Sequence, residues 1–141
     1  MKYYQILNQP HDIQTFTKNI LVKSGQTVNL ETIMEFTAPN TVGNTFIKAV
    51  VMPGGHLTLK GLIRINQKSL NTQAFLKHSV LLIGDNSQAV SVPELEISND
   101  QVQASHASSI GPVDSNQLFY LMSRGFSHKS ALDLIIKSFL A

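Results

Sequence analysis

The sequence predicts a mainly β fold closed by two C-terminal α-helices. Three observations carry that reading. Short β-branched runs alternate with Gly, Asn, Asp and Pro from Tyr3 to Ile110, and strands spaced about 8–12 residues apart build a sandwich, a barrel or a solenoid. From Pro112 onward the apolar residues recur at three and four positions, the helical interval. Only 14% of the chain is charged, against a usual share of about 25%. In its place, 43 of 141 residues are Ser, Thr, Asn or Gln. Such a surface favours the solenoid, whose stacked coils cover their flanks with amides and hydroxyls.

The strand candidates are Gln26–Leu30, Thr45–Met52, His56–Lys60, Leu62–Ile65, Ser79–Ile83 and Glu94–Ile97. In His56–Lys60, Leu62–Ile65 and Glu94–Ile97, apolar and polar residues alternate, so one face is buried and one is wet. Leu57, Leu59, Leu62, Ile63, Ile65, Leu81, Ile83, Leu95 and Ile97 are the expected core. Turns are expected at Gly54-Gly55, Asn66, Gly84-Asp85-Asn86 and Asn99-Asp100. No strict repeat period is visible. Open strand edges must be covered by helices, loops or a partner.

Asp114-Ser115-Asn116-Gln117 reads as a capping box, with Asp114 accepting from the first turn and Gln117 reaching back. Leu118, Leu121 and Met122 then share one helix face. Gly125 ends this helix as a left-handed cap after Arg124. A second helix starts at Ser127 and is apolar around most of its circumference: Ala131, Leu134 and Ile135 on one face, Leu132, Ile136, Phe139 and Leu140 around it. Either the fold buries both faces or one is meant for another protein.

Composition excludes several classes. The chain has the length of one domain. With no cysteine there is no disulfide, thiolate-held cluster or cysteine nucleophile. The histidines His11, His56, His78, His106 and His128 are scattered without zinc spacing. A net charge of +2 with no Lys/Arg run argues against nucleic acid. No apolar stretch is long enough to span a membrane. Polar residues follow Met1 too soon for a signal peptide, so the expected location is cytoplasmic. Glu94 and Glu96 sit at i, i+2 on one strand face. Paired carboxylates suggest glycosidase chemistry, but this spacing is the ordinary one for a solvated face. Gly54-Gly55 lacks the Gly-Lys-Ser/Thr continuation of a phosphate loop.

One stretch resembles a known family. It runs through Ile83-Gly84-Asp85, Pro93-Glu94-Leu95-Glu96-Ile97, Ser105-His106-Ala107, Ile110-Gly111 and Gln117-Leu118-Phe119-Tyr120-Leu121-Met122-Ser123-Arg124-Gly125. The order and spacing of these blocks resemble the C-terminal part of the SufB/SufD family, scaffold subunits of iron–sulfur cluster assembly. The likeness extends back to about Thr45, and residues 1–44 match no pattern. It implies a short right-handed parallel β-helix over residues 1–111 and a helical tail over 112–141 packed on it. The resemblance further implies a non-enzymatic scaffold that docks an ABC-type ATPase, SufC-like, through Phe119, Tyr120, Arg124 and Phe139. Through the β-stack it would pair with itself, as a homodimer, or with a longer SufB-like subunit. His106 corresponds to the family's interface histidine and is the candidate ligand for a transient iron. The sulfur positions are altered: Ala104 stands where a cysteine often precedes that histidine, and Ser87 falls at the thiolate position of SufB-like members. The pattern is therefore SufD-like, with no cluster held through thiolates. The competing class is a carbohydrate-binding or carbohydrate-active solenoid, disfavoured by the absence of Trp.

Overall fold

A computed structural model describes every residue from Met1 to Ala141. Eight strands come first: β1 (Lys2–Leu7), β2 (Ile13–Val22), β3 (Thr27–Phe36), β4 (Val42–Val51), β5 (His56–Ile65), β6 (Thr72–Leu82), β7 (Gln88–Ile97) and β8 (Val102–Pro112). Two helices follow, α1 (Ser115–Ser123) and α2 (His128–Leu140). The odd strands form one parallel sheet, β1-β3-β5-β7, and the even strands another, β2-β4-β6-β8. Each coil thus gives one strand to each sheet, and four coils stack as a β-solenoid. Climbing one coil takes from 29 residues (Tyr3 to Thr32) to 32 (Arg64 to Glu96).

The interior lies between the sheets. One cluster gathers Ile20, Val22, Leu30, Ile47, Val51 and Leu59. A second gathers Leu7, Met34, Phe36, Ile63, Ile65 and Leu76. Of the expected core, Leu57, Leu59, Ile63, Ile65 and Ile83 are buried. Leu62 and Leu81 are half-buried, on the outward rows. Leu95 and Ile97 correct the expectation, at 37% and 40% exposed. Both face inward on β7, but β7 belongs to the last coil and nothing stacks on it.

The runs His56–Lys60 and Leu62–Ile65, separate in the sequence reading, are one unbroken strand. Gly61 between them does not end it. It stands mid-strand because Leu76 and His78 cross the interior toward it: a Cβ here would lie 2.6 Å from a Leu76 methyl and 3.1 Å from His78 Nε2. Gly43 makes the same room on β4, where a Cβ would come within 2.5 Å of Met34 Sδ and of the Phe36 ring. Interior glycines of this kind mark close approach, not turns.

The corners repeat where the strands do not advertise it. Gly25, Gly54 and Gly84 all have positive φ, 73°, 77° and 67°. Asn40 and Asn71, both at φ 57°, occupy another corner with His11 at 69°. Gly and Asn reach this left-handed region at least cost. The Asn71 amide donates to Asn40 Oδ1 at 3.2 Å, and the buried hydroxyls of Thr41 and Thr72 lie 3.1 Å apart. These ladders tie successive coils together outside the strands.

At the tail, Asp114 caps α1 by accepting from the Asn116 amide at 2.9 Å. The expected return bond from Gln117 does not form; Gln117 lines a groove instead. Gly125, at φ 102°, closes α1, with its amide on the Met122 carbonyl and that of Phe126 on Leu121. This is a Schellman cap. Ser127 caps α2 through the Ser130 amide at 3.1 Å. α2 packs against the outer face of the even-strand sheet at β4. There Asn19 donates to the Leu140 carbonyl and Lys48 Nζ to that of Ala141 at 2.9 Å. Ala131 is fully buried, the only such residue of either helix. No helix is long and apolar enough to cross a membrane.

Filling the glycine space should be costly. Gly43→Ala is expected to lower folding stability by about 1–3 kcal/mol, the usual range for overpacking. Gly111→Ala, where a Cβ meets nothing within 4 Å, should be near neutral. Urea midpoints of the two variants check this.

Candidate functional site

The last coil is built like the others but left uncovered. Ser91, Leu95 and Ile97 of β7 stand in register with the inward residues Leu59, Ile63 and Ile65. Ala104, His106, Ser108 and Ile110 of β8 stand over Ala74, Leu76, His78 and Val80. His106 therefore occupies a core position with no layer above it, and it is exposed.

One coil below, under Ser108 and two residues along from the Leu76 on which His106 stands, lies His78. His78 is 1% exposed. Its Nδ1 is 2.7 Å from Ser91 Oγ on the opposite sheet. Its Nε2 is buried with no hydrogen-bond partner and faces Gly61. Placing the proton on Nδ1, donated to Ser91, leaves a bare lone pair at Nε2, whereas the other tautomer would orphan a buried N–H, a rare arrangement. Burial first, and the nearby His106 second, push the His78 pKa down from 6.5 to about 4. The strand alternation Thr72, Ala74, Leu76, His78, Val80 was the available signal, since it sets His78 on the inward row.

His106 has no companion set of ligands within the chain: no group of three or more His, Cys, Asp or Glu side chains converges anywhere. A lone imidazole does not hold a metal ion, which takes three or four ligands at such sites. Glu94 and Glu96, the other candidate pair, are exposed. Glu96 is bonded to Arg64 at 2.8 Å, the arrangement of a solvated face.

The helical residues form a second surface. Phe119 and Tyr120 are 74% and 56% exposed, so α1 turns both outward and seats Leu118 and Leu121 in their place. Arg124 is the C-cap of α1, with its guanidinium 5.3 Å from the Tyr120 ring. Phe139 is half-buried and lines a groove of about 810 Å³ together with Tyr120, Leu134, Ile135, Leu81 and Pro112. His106 is not among the residues of this groove, so the candidate residues fall on two surfaces.

A parallel two-sheet solenoid with a docked helix pair defines the class. The chain matches the family described as "SUF system FeS cluster assembly, SufBD core domain" over residues 2–139, and it belongs to that family. The match takes in residues 2–44, where the sequence alone shows no pattern of the family. Among curated relatives, a SufBD family protein of Mycobacterium tuberculosis is 33% identical over 73% of this chain and 12% of its own length. SufB of Bacillus subtilis is 29% identical over 99% of the chain and 30% of its own length. A SufBD family protein of Staphylococcus aureus is 29% identical over 82% of the chain and 25% of its own. The chain thus spans less than a third of the length of these relatives.

The buried His78 gives stability a pH dependence. The unfolded chain takes a proton at this residue near pH 6.5, and the folded chain refuses it until about pH 4. Stability should therefore fall as pH drops through that window and level off below it, by up to about 3 kcal/mol. In His78→Gln this component of the slope should vanish, as urea midpoints measured between pH 4 and 7 will report.

Proposed function

We propose that the chain is a SufD-like scaffold in iron–sulfur cluster assembly, acting in the cytoplasm and without catalysis of its own. The family match over residues 2–139 is the observation that carries this reading. In it, the helix pair docks a SufC-like ABC ATPase. The open last coil pairs with a second copy or with a longer SufB-like subunit. The two surfaces described above suit those roles. Phe119 and Tyr120 offer aromatic area that the fold itself does not use, the kind of side chain that dominates binding hot spots. Arg124, unpaired with any carboxylate of the chain, is free to fork onto one from the ATPase.

Iron enters as cargo. His106 would present a single imidazole at the junction, and the remaining ligands would come from the partner. Ser87 and Ala104, where sulfur stands in longer members of the family, leave this chain with no thiolate to contribute.

Two outcomes are expected. Phe119→Asp should weaken ATPase binding at least tenfold, with the thermal melt unchanged. Unaltered binding across Phe119→Asp, Tyr120→Asp and Phe139→Asp would remove the helices as the docking surface. Anaerobic treatment of the isolated chain with iron and sulfide should leave no stoichiometric visible chromophore. A stable coloured protein would contradict the cargo reading.

A further inference from the structure

The outer walls of the two sheets are built on opposite plans. On the odd-strand sheet, outward polar side chains satisfy one another. Lys2 lies 4.0 Å from Glu31, Arg64 bonds Glu96 at 2.8 Å, and the Tyr4 hydroxyl donates to Glu35. The even-strand sheet contains no Asp or Glu in any of its four strands. Near the corners that lead into β6 and β8, its outward side chains are amides and hydroxyls around an aromatic pair.

Two adjoining hollows lie there. One, of about 320 Å³, is walled by Asn71, Gln73, Asp100, Gln101 and Gln103. The other, of about 300 Å³, is walled by Asn44, Gln73, Phe75, Gln103 and Ser105. Gln73 and Gln103 are partners in the β6–β8 register and belong to both, so the hollows form one cleft across two coils. Asn71 and Phe75 mark its extent along the strand, about 13 Å at the usual rise per residue. Phe75 stands between Asn44 and Ser105 in the register and is the one aromatic ring in the cleft. Phe46 packs against it at 5.9 Å between ring centroids, a separation at which aromatic pairs attract. Gln73, Gln101 and Gln103 are exposed. The side-chain bonds at this corner run elsewhere, from Asn71 to Asn40 and from Thr72 to Ser69.

This lining selects a ligand by its chemistry. Each amide offers both donors and an acceptor, which matches a molecule carrying many hydroxyls. The Phe75 ring offers an apolar face. A concave site with one such face and a few convergent polar groups is the usual form of a small-ligand site. Asp100 is the one charged group in the cleft, and it disfavours an anion. Lys77, the next outward residue of β6 after Phe75, lines neither hollow. Nucleic acid is held through cations along its backbone, and a protein partner through several large apolar anchors. The cleft has no cation and a single large ring.

We propose that the cleft over β6 and β8 binds a neutral oligosaccharide, with one sugar ring laid on Phe75 and its hydroxyls bonded by Asn44, Gln73 and Gln103. Phe75 supplies the platform that Trp would provide in a chain containing one. The site lies on the wall of the stack. Neither His106 nor any residue of the helical groove lines it, so the inference stands independently of the scaffold reading.

Amide NMR spectra of the intact chain test this, with maltotriose, cellotriose and N-acetylchitotriose as probes and polyuridylate as the anionic comparison. At least one trisaccharide should shift the amides of Gln73, Phe75, Gln103 and Ser105 saturably at millimolar concentration, and polyuridylate should not. Phe75→Leu keeps the apolar bulk but removes the flat ring, and should weaken binding about tenfold. The double variant Gln73→Ala with Gln103→Ala changes only exposed positions. It should weaken binding as well, whether or not the Leu variant folds. Phe119→Asp should bind the sugar as the wild type does. No saturable shift with any of the three sugars would overturn the proposal. So would shifts confined to other residues, unaltered binding in both cleft variants, or the same amides responding to polyuridylate.

Discussion

Every interior strand of this protein takes its backbone hydrogen bonds from the coil before and the coil after, because the two sheets are parallel and a coil contributes one strand to each. That constraint governs the rest. A parallel pair cannot close on itself with a hairpin, so the chain must make a full circuit before it can bond its own strand. Most of its contacts are consequently long-range in sequence, and the stack has two ends whose backbone groups no residue of the ladder can satisfy.

The interior is thin, and this explains its unusual composition. Side chains from the two sheets meet head to head, so a large residue on one sheet demands a small one opposite. Phe36 and Met34 against Gly43, and Leu76 and His78 against Gly61, are two instances. His78 is the one imidazole this geometry buries. It reaches across the interior to Ser91 and binds the uncovered coil to the one beneath it. An exposed His106 and a buried His78, on neighbouring coils of one sheet, thus do opposite things with the same side chain.

Much of the fold was legible in the chain, and the failures have physical causes. Alternation placed Leu57, Leu59, Ile63 and Ile65 inward correctly, because period two depends only on the pleat. Leu95 and Ile97 have the same pattern and remain exposed, since burial depends on a neighbour that alternation cannot report. Gly61 looked like a strand boundary because its partner across the interior lies on another strand. The repeat escaped notice because its length drifts between 29 and 32 residues. Its fixed points are the left-handed corners Gly25, Gly54 and Gly84, not any pattern in the strands. Of the candidate residues, the blocks from Ile83 to Gly125 carried the family through their spacing. His78 carried no motif and was recognisable only once its row was known.

The drift in coil length has its own consequence. Strand lengths hardly vary, so surplus residues are expelled at the corners, as between Ile65 and Thr72, where Gln67, Lys68, Leu70 and Asn71 lie exposed. There the ladder is held by Ser69, bonded to the Phe36 carbonyl at 2.7 Å, by Thr72 on Thr41 and by Asn71 on Asn40, whereas Gln67 and Lys68 present their side chains to solvent. Such a corner is a natural seam. A peptide tag or a fluorescent domain spliced at Gln67-Lys68 would leave both sheets in register.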